Sequence, residues 1–134
     1  MQSTLSKGET TIMKNHSFDS RILESYIPML GEQWRESLRR IINTYLVEVP
    51  EILQKMKAGL SHKNGEEIRQ AAHSLKASTA AIGAVSDSEL CTTIETYARE
   101  HNFNHIHRLV EHLERHHQST TRKLNELQLK WICV

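Results

Sequence analysis

His73 and Lys76 lie three residues apart in the run Ala72-His73-Ser74-Leu75-Lys76-Ala77-Ser78, with Ile82, Gly83 and Ala84 just beyond. That spacing sets two side chains one turn apart on one side of a helix. A neutral imidazole in contact with water is a good phosphoryl acceptor, and histidine titrates near neutrality. A nearby ammonium stabilises the charge that moves during phosphoryl transfer. Ala77 and Ala80 keep the surrounding surface low, so a concave site on another protein can close over His73. The same residues also admit a plainer reading. A histidine beside a lysine is an ordinary solvated face, the alanines favour helix, and Gly83 can simply end it.

Successive helical residues advance about 100° around the axis. With His73 at zero, Ala71, Ile82, Leu75 and Ile68 fall between about 160° and 220°. The core side is therefore opposite His73. Arg69, Lys76, Ala77 and Ala80 fall within about 60° of it and complete an exposed stripe. Gly83 lets a backbone come close, or ends the helix.

Several further elements must position this helix. Asp19 is placed to cap a first helix through Ile22, Leu23, Tyr26 and Ile27, ending near Pro28 to Gly31. A second helix from about Glu32 carries Trp34, Leu38, Ile41, Ile42, Tyr45, Leu46, Val49, Ile52, Leu53, Met56 and Leu60 at steps of three and four. Pro50 removes one hydrogen bond there, but the stripe resumes in phase, which predicts a kink rather than a stop. The histidine helix covers about residues 66–81 and a fourth about 86–99, with Leu90, Ile94 and Tyr97 facing in. The last runs from about Asn104 into the late 120s through Ile106, Leu109, Val110, Leu113, Leu124 and Leu127. Short connections between long helices predict an all-α, antiparallel up-down four-helix bundle with a short additional N-terminal helix. The expected division is a flexible segment over 1–17, the bundle over 18–128 and a tail over 129–134.

Composition agrees and excludes several classes. The chain has 134 residues, enough for one domain with a real core. Its 17 Lys and Arg against 16 Asp and Glu give a net charge of +1, with no pull toward nucleic acid or an anionic membrane. Only 5% of residues are aromatic, which disfavours a β-sandwich. No stretch is apolar enough to span a bilayer. Cys91 and Cys133 match no zinc spacing, and free thiols without a secretion signal predict a cytoplasmic protein. Cys133 does not fit a prenylation box.

Other candidate sites are weaker. His101, His105, His107, His112, His116 and His117 crowd the last helix region. The pairs His101/His105 and His112/His116 have the four-residue spacing that can chelate a metal on one helix face. No acidic or cysteine partner accompanies them at a diagnostic spacing, so they read as a histidine-bearing surface, one that could also sense pH. Ser74, Ser78 and Thr79 lack a paired base and acid, so no hydrolytic triad forms. Trp34 and Trp131 are expected at the bundle ends.

The run from Ala72 to Ala84 resembles the signature of histidine-containing phosphotransfer (HPt) domains, His-x-Leu-Lys-Gly followed by an apolar residue and Gly. The segment Tyr45-Leu46-Val47-Glu48-Val49-Pro50-Glu51-Ile52-Leu53 is similar to the family's preceding helix, proline included. Leu90, Cys91, Ile94, Glu95 and Arg99 are similar to the following one. The resemblance spans about residues 18–115. It implies that His73 takes a phosphoryl group from a receiver-domain aspartyl phosphate and passes it to another receiver, in a His-Asp-His-Asp relay. Lys76 would steady the phosphoryl oxygens, and Gly83 would allow close packing behind the helix. The implied partners are the receiver domains of a hybrid sensor histidine kinase and of a response regulator. The receiver would supply Mg²⁺, so no cofactor is expected on this chain, which is read as a monomeric phosphoryl carrier rather than a classical enzyme.

Three positions depart from the family pattern. Ala77 replaces the usual Gly. Glu95 stands where several members carry a Gln that hydrogen-bonds the imidazole; a carboxylate there could orient His73 but would oppose a phosphate. Arg99 matches a basic residue of some members, or simply complements the helix dipole. Histidine kinases place an acidic residue after their histidine and a proline soon after; here Ser74 follows, no glycine-rich ATP lid is present, and self-phosphorylation is not expected. The competing reading is a helical docking module that binds a receiver or another partner without transfer.

Overall fold

Asp19 opens the first helix: its carboxylate accepts the Arg21 backbone N–H at 3.0 Å, satisfying one of the free donors of a helix start. The structure, a computed structural model, describes residues 18–131. Helix α1 spans Ser20–Leu30, and a 3-10 turn at Gly31–Gln33 leads into α2, Trp34–Ser61. Helices α3 (Gly65–Ile82), α4 (Val85–Arg99) and α5 (Phe103–Trp131) follow. No strand occurs among the described residues.

Each boundary has a local cause. The 3-10 turn takes the residues from which α2 was expected to start, so α2 begins at Trp34 rather than near Glu32. It then runs unbroken through Pro50, because the packed stripe on either side outweighs one lost hydrogen bond. Asn64 caps α3 by accepting the Glu67 N–H at 3.1 Å, and Glu66 and Glu67 suit the positive end of the helix. Helix α5 continues to Trp131, past the boundary expected at 128. The lead-in expected over 1–17, Cys133 and the last residues of the expected tail lie outside the described residues.

Connections of two or three residues reverse the chain between α2, α3, α4 and α5. Helix α3 packs between α2 and α4, and α5 closes the ring against both, giving the up-down four-helix bundle. The core joins Leu38, Ile42, Val49 and Met56 of α2 to Ile68, Leu75 and Ile82 of α3. Leu90, Ile94, Ile106, Leu109 and Leu124 fill the opposite half. Helix α1 lies against α2 and α3, buries Leu23, and donates the Tyr26 hydroxyl to the Ala81 carbonyl at 2.7 Å. At the bundle end Arg35 stacks over the Trp34 ring at 4.3 Å and donates to the Trp131 carbonyl at 3.0 Å, tying both tryptophans where they were expected. No helix among the described residues is long and apolar enough to cross a membrane.

Two glycines set how closely elements approach. A side chain at Gly59 would meet Ile68 Cγ1 at 2.8 Å, so its absence lets α2 and α3 come together near their connection. Gly83 caps α3 in the left-handed region, φ +92°, and a side chain there would run into the Asp19 carbonyl. The Asp19 N–H in turn donates to the Gly83 carbonyl at 2.8 Å. Gly83→Ala is expected to destabilise the protein by about 2–3 kcal/mol, from left-handed strain plus displacement of α1. Urea unfolding measures it, and a change under 0.5 kcal/mol would place the strain elsewhere.

Candidate functional site

The face of α3 opposite the core is the one the helical angles assign. Ile68, Ala71, Leu75 and Ile82 are buried, while His73, Ala77 and Ala80 are exposed. The His73 side chain is 72% exposed, which leaves its outer nitrogen open to a partner. Ala77 and Ala80 rise no higher than a methyl group one and two turns further along. Beside Ala77, α2 and α3 leave an apolar groove of about 410 Å³ between Arg40, Ile41, Thr44 and Glu48 on one wall and Ala77, Ser78 and Ala81 on the other.

Lys76 sits deeper than expected. It is half-buried rather than on the open face, and its charge is felt by the Cys91 thiol on α4. The reason is the closeness of α3 and α4: the Ser88 hydroxyl of α4 donates to the Lys76 carbonyl at 3.5 Å. The long aliphatic stem can lie along this seam and carry the ammonium out to its edge.

Glu95 approaches His73 from α4. Its Oε2 lies 3.6 Å from His73 Nδ1 and 3.8 Å from an Arg99 terminal nitrogen. These are ion-pair distances, longer than hydrogen bonds. Glu95 is in core phase with Cys91 and Ala98, which explains how a carboxylate comes to be buried under the histidine. Arg69 does not reach toward His73. It forks onto Glu66 at 2.9 and 2.6 Å, and those hydrogen bonds pull the Glu66 carboxyl down to about 2, with Gln70 and Arg99 helping. Arg99 ends α4, where it also complements the helix dipole. Gly83 lies ten residues past His73, about 15 Å along the helix, and packs against α1 rather than under the imidazole.

Other nucleophiles are poorly placed. Burial, then the nearby Asp87 and Glu95 carboxylates, push the Cys91 thiol up, so it is neither reached by solvent nor ionised. The Ser78 hydroxyl donates back to the Ser74 carbonyl at 3.3 Å.

The histidines of the last helix sort differently from a uniform surface. His101 lies in the α4–α5 connection with φ 55°, so the pair His101/His105 does not share a helix face. His105 stacks on Tyr97 at 4.7 Å. His116 is buried, and its Nδ1–H donates to Asp87 Oδ1 at 2.8 Å, a pairing no sequence spacing advertised. His117 is half-buried against Tyr45, with ring centroids 5.7 Å apart, and burial lowers its proton affinity. The missed signal is phase: His116 follows Leu113 by three and precedes Thr120 and Leu124 by four and eight, all buried. Among the described residues no three or more His, Cys, Asp or Glu side chains group to hold a metal ion.

The Hpt domain family model matches residues 40–125, well over half of the chain, including the whole of α3 and α4. A similar fold is found in the crystal structure of histidine-containing phosphotransfer protein B (HptB) from Pseudomonas aeruginosa PAO1. The two superpose with a TM-score of 0.76 at 22% identity, over 85% of this chain and 96% of that one. No curated protein matches in sequence.

Proposed function

From the premise that this chain belongs to the Hpt domain family, we propose that it is a phosphoryl carrier of a multistep phosphorelay, with His73 as the carrying residue. One observation supports this above all: a 72% exposed imidazole on the face of α3 away from the core, with a buried carboxylate on its Nδ1 side. That arrangement leaves Nε2 as the nucleophile. Its lone pair attacks the phosphorus of a receiver aspartyl phosphate, the P–O bond breaks, and the electron pair returns to the aspartate. The reverse step loads a second receiver. The receivers of a hybrid sensor kinase and of a response regulator fit as donor and acceptor, and the receiver carries the Mg²⁺. Nothing on this chain has to bind nucleotide.

Ala77, Ala80 and the groove beside them give a receiver a low, apolar surface to close on. The Lys76 ammonium, on a half-buried side chain one turn from His73, is suited to the phosphoryl oxygens. Arg69, already forked onto Glu66, shapes the rim rather than touching phosphate.

The test is a transfer assay in which purified phosphorylated receivers are mixed with this protein. The expected result is an acid-labile, base-stable label on the chain. A chain that binds a receiver but takes no label from any would favour a docking role instead. Lys76→Ala is expected to slow transfer on the order of 100-fold, the lower end of the range for losing one charge-stabilising donor. Its Tm should move by no more than a few degrees. A transfer rate unchanged within twofold would remove Lys76 from the site.

A further inference from the structure

His117 stands between two grooves. On one side it lines a groove of about 190 Å³ in the α2–α5 seam, with Pro50, Gln54, Lys57, Glu114 and Gln118. On the other it meets Tyr45 of α2: its Nδ1 lies 3.5 Å from the phenolic oxygen, with ring centroids 5.7 Å apart. Tyr45 is only 3% exposed, yet it also lines the groove of about 410 Å³ beside Ala77. A titratable ring at a surface groove is thus joined, through one side chain, to the surface suited to a receiver. The charged and titratable groups around His117 are few. Helix α2 brings Tyr45 and Lys57, the latter held by Glu114 of α5 at 2.8 Å. Helix α4 brings Asp87, whose carboxylate already accepts the His116 N–H at 2.8 Å. Among the described residues α3 presents Leu75 and Thr79 there, neither of them charged. Burial, then Asp87 and the neutral Cys91 thiol, push the Tyr45 phenol up, so it stays a hydroxyl able to donate. Burial lowers the proton affinity of His117, against a smaller opposing pull from Asp87. Near neutrality the ring is therefore neutral, and its Nδ1 can accept the Tyr45 O–H.

We propose that His117 is a proton-operated control on the α2–α3 groove, acting through Tyr45. Its consequence for docking rests on the reading of that groove as part of the receiver surface. When His117 takes a proton from water, both ring nitrogens become donors, and Nδ1 no longer accepts from the Tyr45 hydroxyl. Two donors then face each other inside the bundle. The new charge is drawn toward Asp87, whose carboxylate is already engaged by His116. Tyr45 must turn its hydroxyl or shift its ring, and either changes the groove wall. Because the fold favours the neutral ring, the midpoint of proton uptake lies below the ordinary histidine value of about 6.5. The groove wall is firm at neutral pH and loosens as pH falls.

The experiment uses the full chain carrying His73→Gln, so that the imidazole one turn from Ala77 does not titrate. Proton–nitrogen NMR spectra are recorded from about pH 7.5 down to about pH 5. The backbone amides of Thr44, Ala77, Ser78 and Ala81 are expected to move with the same midpoint as the His117 ring protons. Adding His117→Gln, which keeps a polar contact but cannot titrate, should hold them still. Adding Tyr45→Phe instead, which keeps the ring without its hydroxyl, should let His117 titrate while the groove amides stay in place. If those amides do not move while His117 titrates, or move alike with His117→Gln, the inference is overturned. Receiver affinity is then compared in chains with His73 intact. Between about pH 7.5 and 5.5 it should fall about tenfold more in the wild type than in His117→Gln, the equivalent of one unit in the proton affinity of His117 between free and bound chain. Groove amides that follow His117 while both chains bind the receiver alike would leave the Tyr45 link standing and overturn the receiver reading of the groove.

Discussion

His73→Gln is expected to take no phosphoryl label from any receiver that labels the wild type, a loss on the order of 10³-fold or more, because removing the nucleophile removes the covalent route. A glutamine amide nitrogen has no available lone pair, so size and polarity are kept while the chemistry is lost. No neighbour can substitute. Cys91 is buried with its thiol pushed up, and Ser78 is bonded to its own helix. The side chain is 72% exposed and makes one loose ion-pair contact, so stability should change by no more than about 0.5 kcal/mol. Receiver binding should survive, because the surface proposed for docking is the small-residue face around position 73 rather than the imidazole. Radiolabel transfer and a pull-down on the same receiver read the two effects separately. Label persisting in His73→Gln would move the chemistry to another residue.

The position of His73 was legible because a single helix has a rigid phase: four apolar residues within about 60° of arc leave little choice for the opposite face. The bundle followed from the same periodicity and from the short connections. Lys76 shows where that reasoning stops. Its angle placed it on the open face, but the distance from helix axis to neighbouring helix is not written in one helix's own sequence. The close α3–α4 approach half-buried it. Gly83 was open between a cap and a close approach, and the structure gives it both, against a partner in α1 that only the assembled fold brings near. Glu95 could have been placed more sharply. Asp87, Cys91, Glu95 and Ala98 form a stripe at steps of four, four and three, so two carboxylates sit in a buried phase. Charged residues in such phase are rare enough to mark partners across a helix interface. Spacing names neither partner, because each lies on a different helix; the family resemblance set Glu95 opposite His73, whereas nothing in the sequence pointed Asp87 to His116.

Asp87→Ala is expected to cost about 2–3 kcal/mol, the range for losing a buried hydrogen bond to a charged acceptor. Asp87 is 2% exposed and His116 10%, and their 2.8 Å hydrogen bond ties the first turn of α4 to the middle of α5. The aspartate also sits where the positive end of α4 favours a carboxylate, so its removal loses that interaction as well. Against a total of about 5–15 kcal/mol for a domain of this kind, the variant should unfold at much lower urea. Asp87→Asn keeps an acceptor for the His116 N–H and should cost less, about 1–2 kcal/mol. His116→Ala alone and the double variant complete a thermodynamic cycle, and the coupling between the two positions should be about 1–3 kcal/mol. Equilibrium unfolding of the four proteins decides it. A loss below 1 kcal/mol for Asp87→Ala would mean that α4 and α5 are held by apolar packing alone. The pair lies away from His73, so a folded Asp87→Asn protein should still take its label at close to the wild-type rate. Helix α4 thus carries Glu95 near His73 and Asp87 at its contact with α5, about two turns apart.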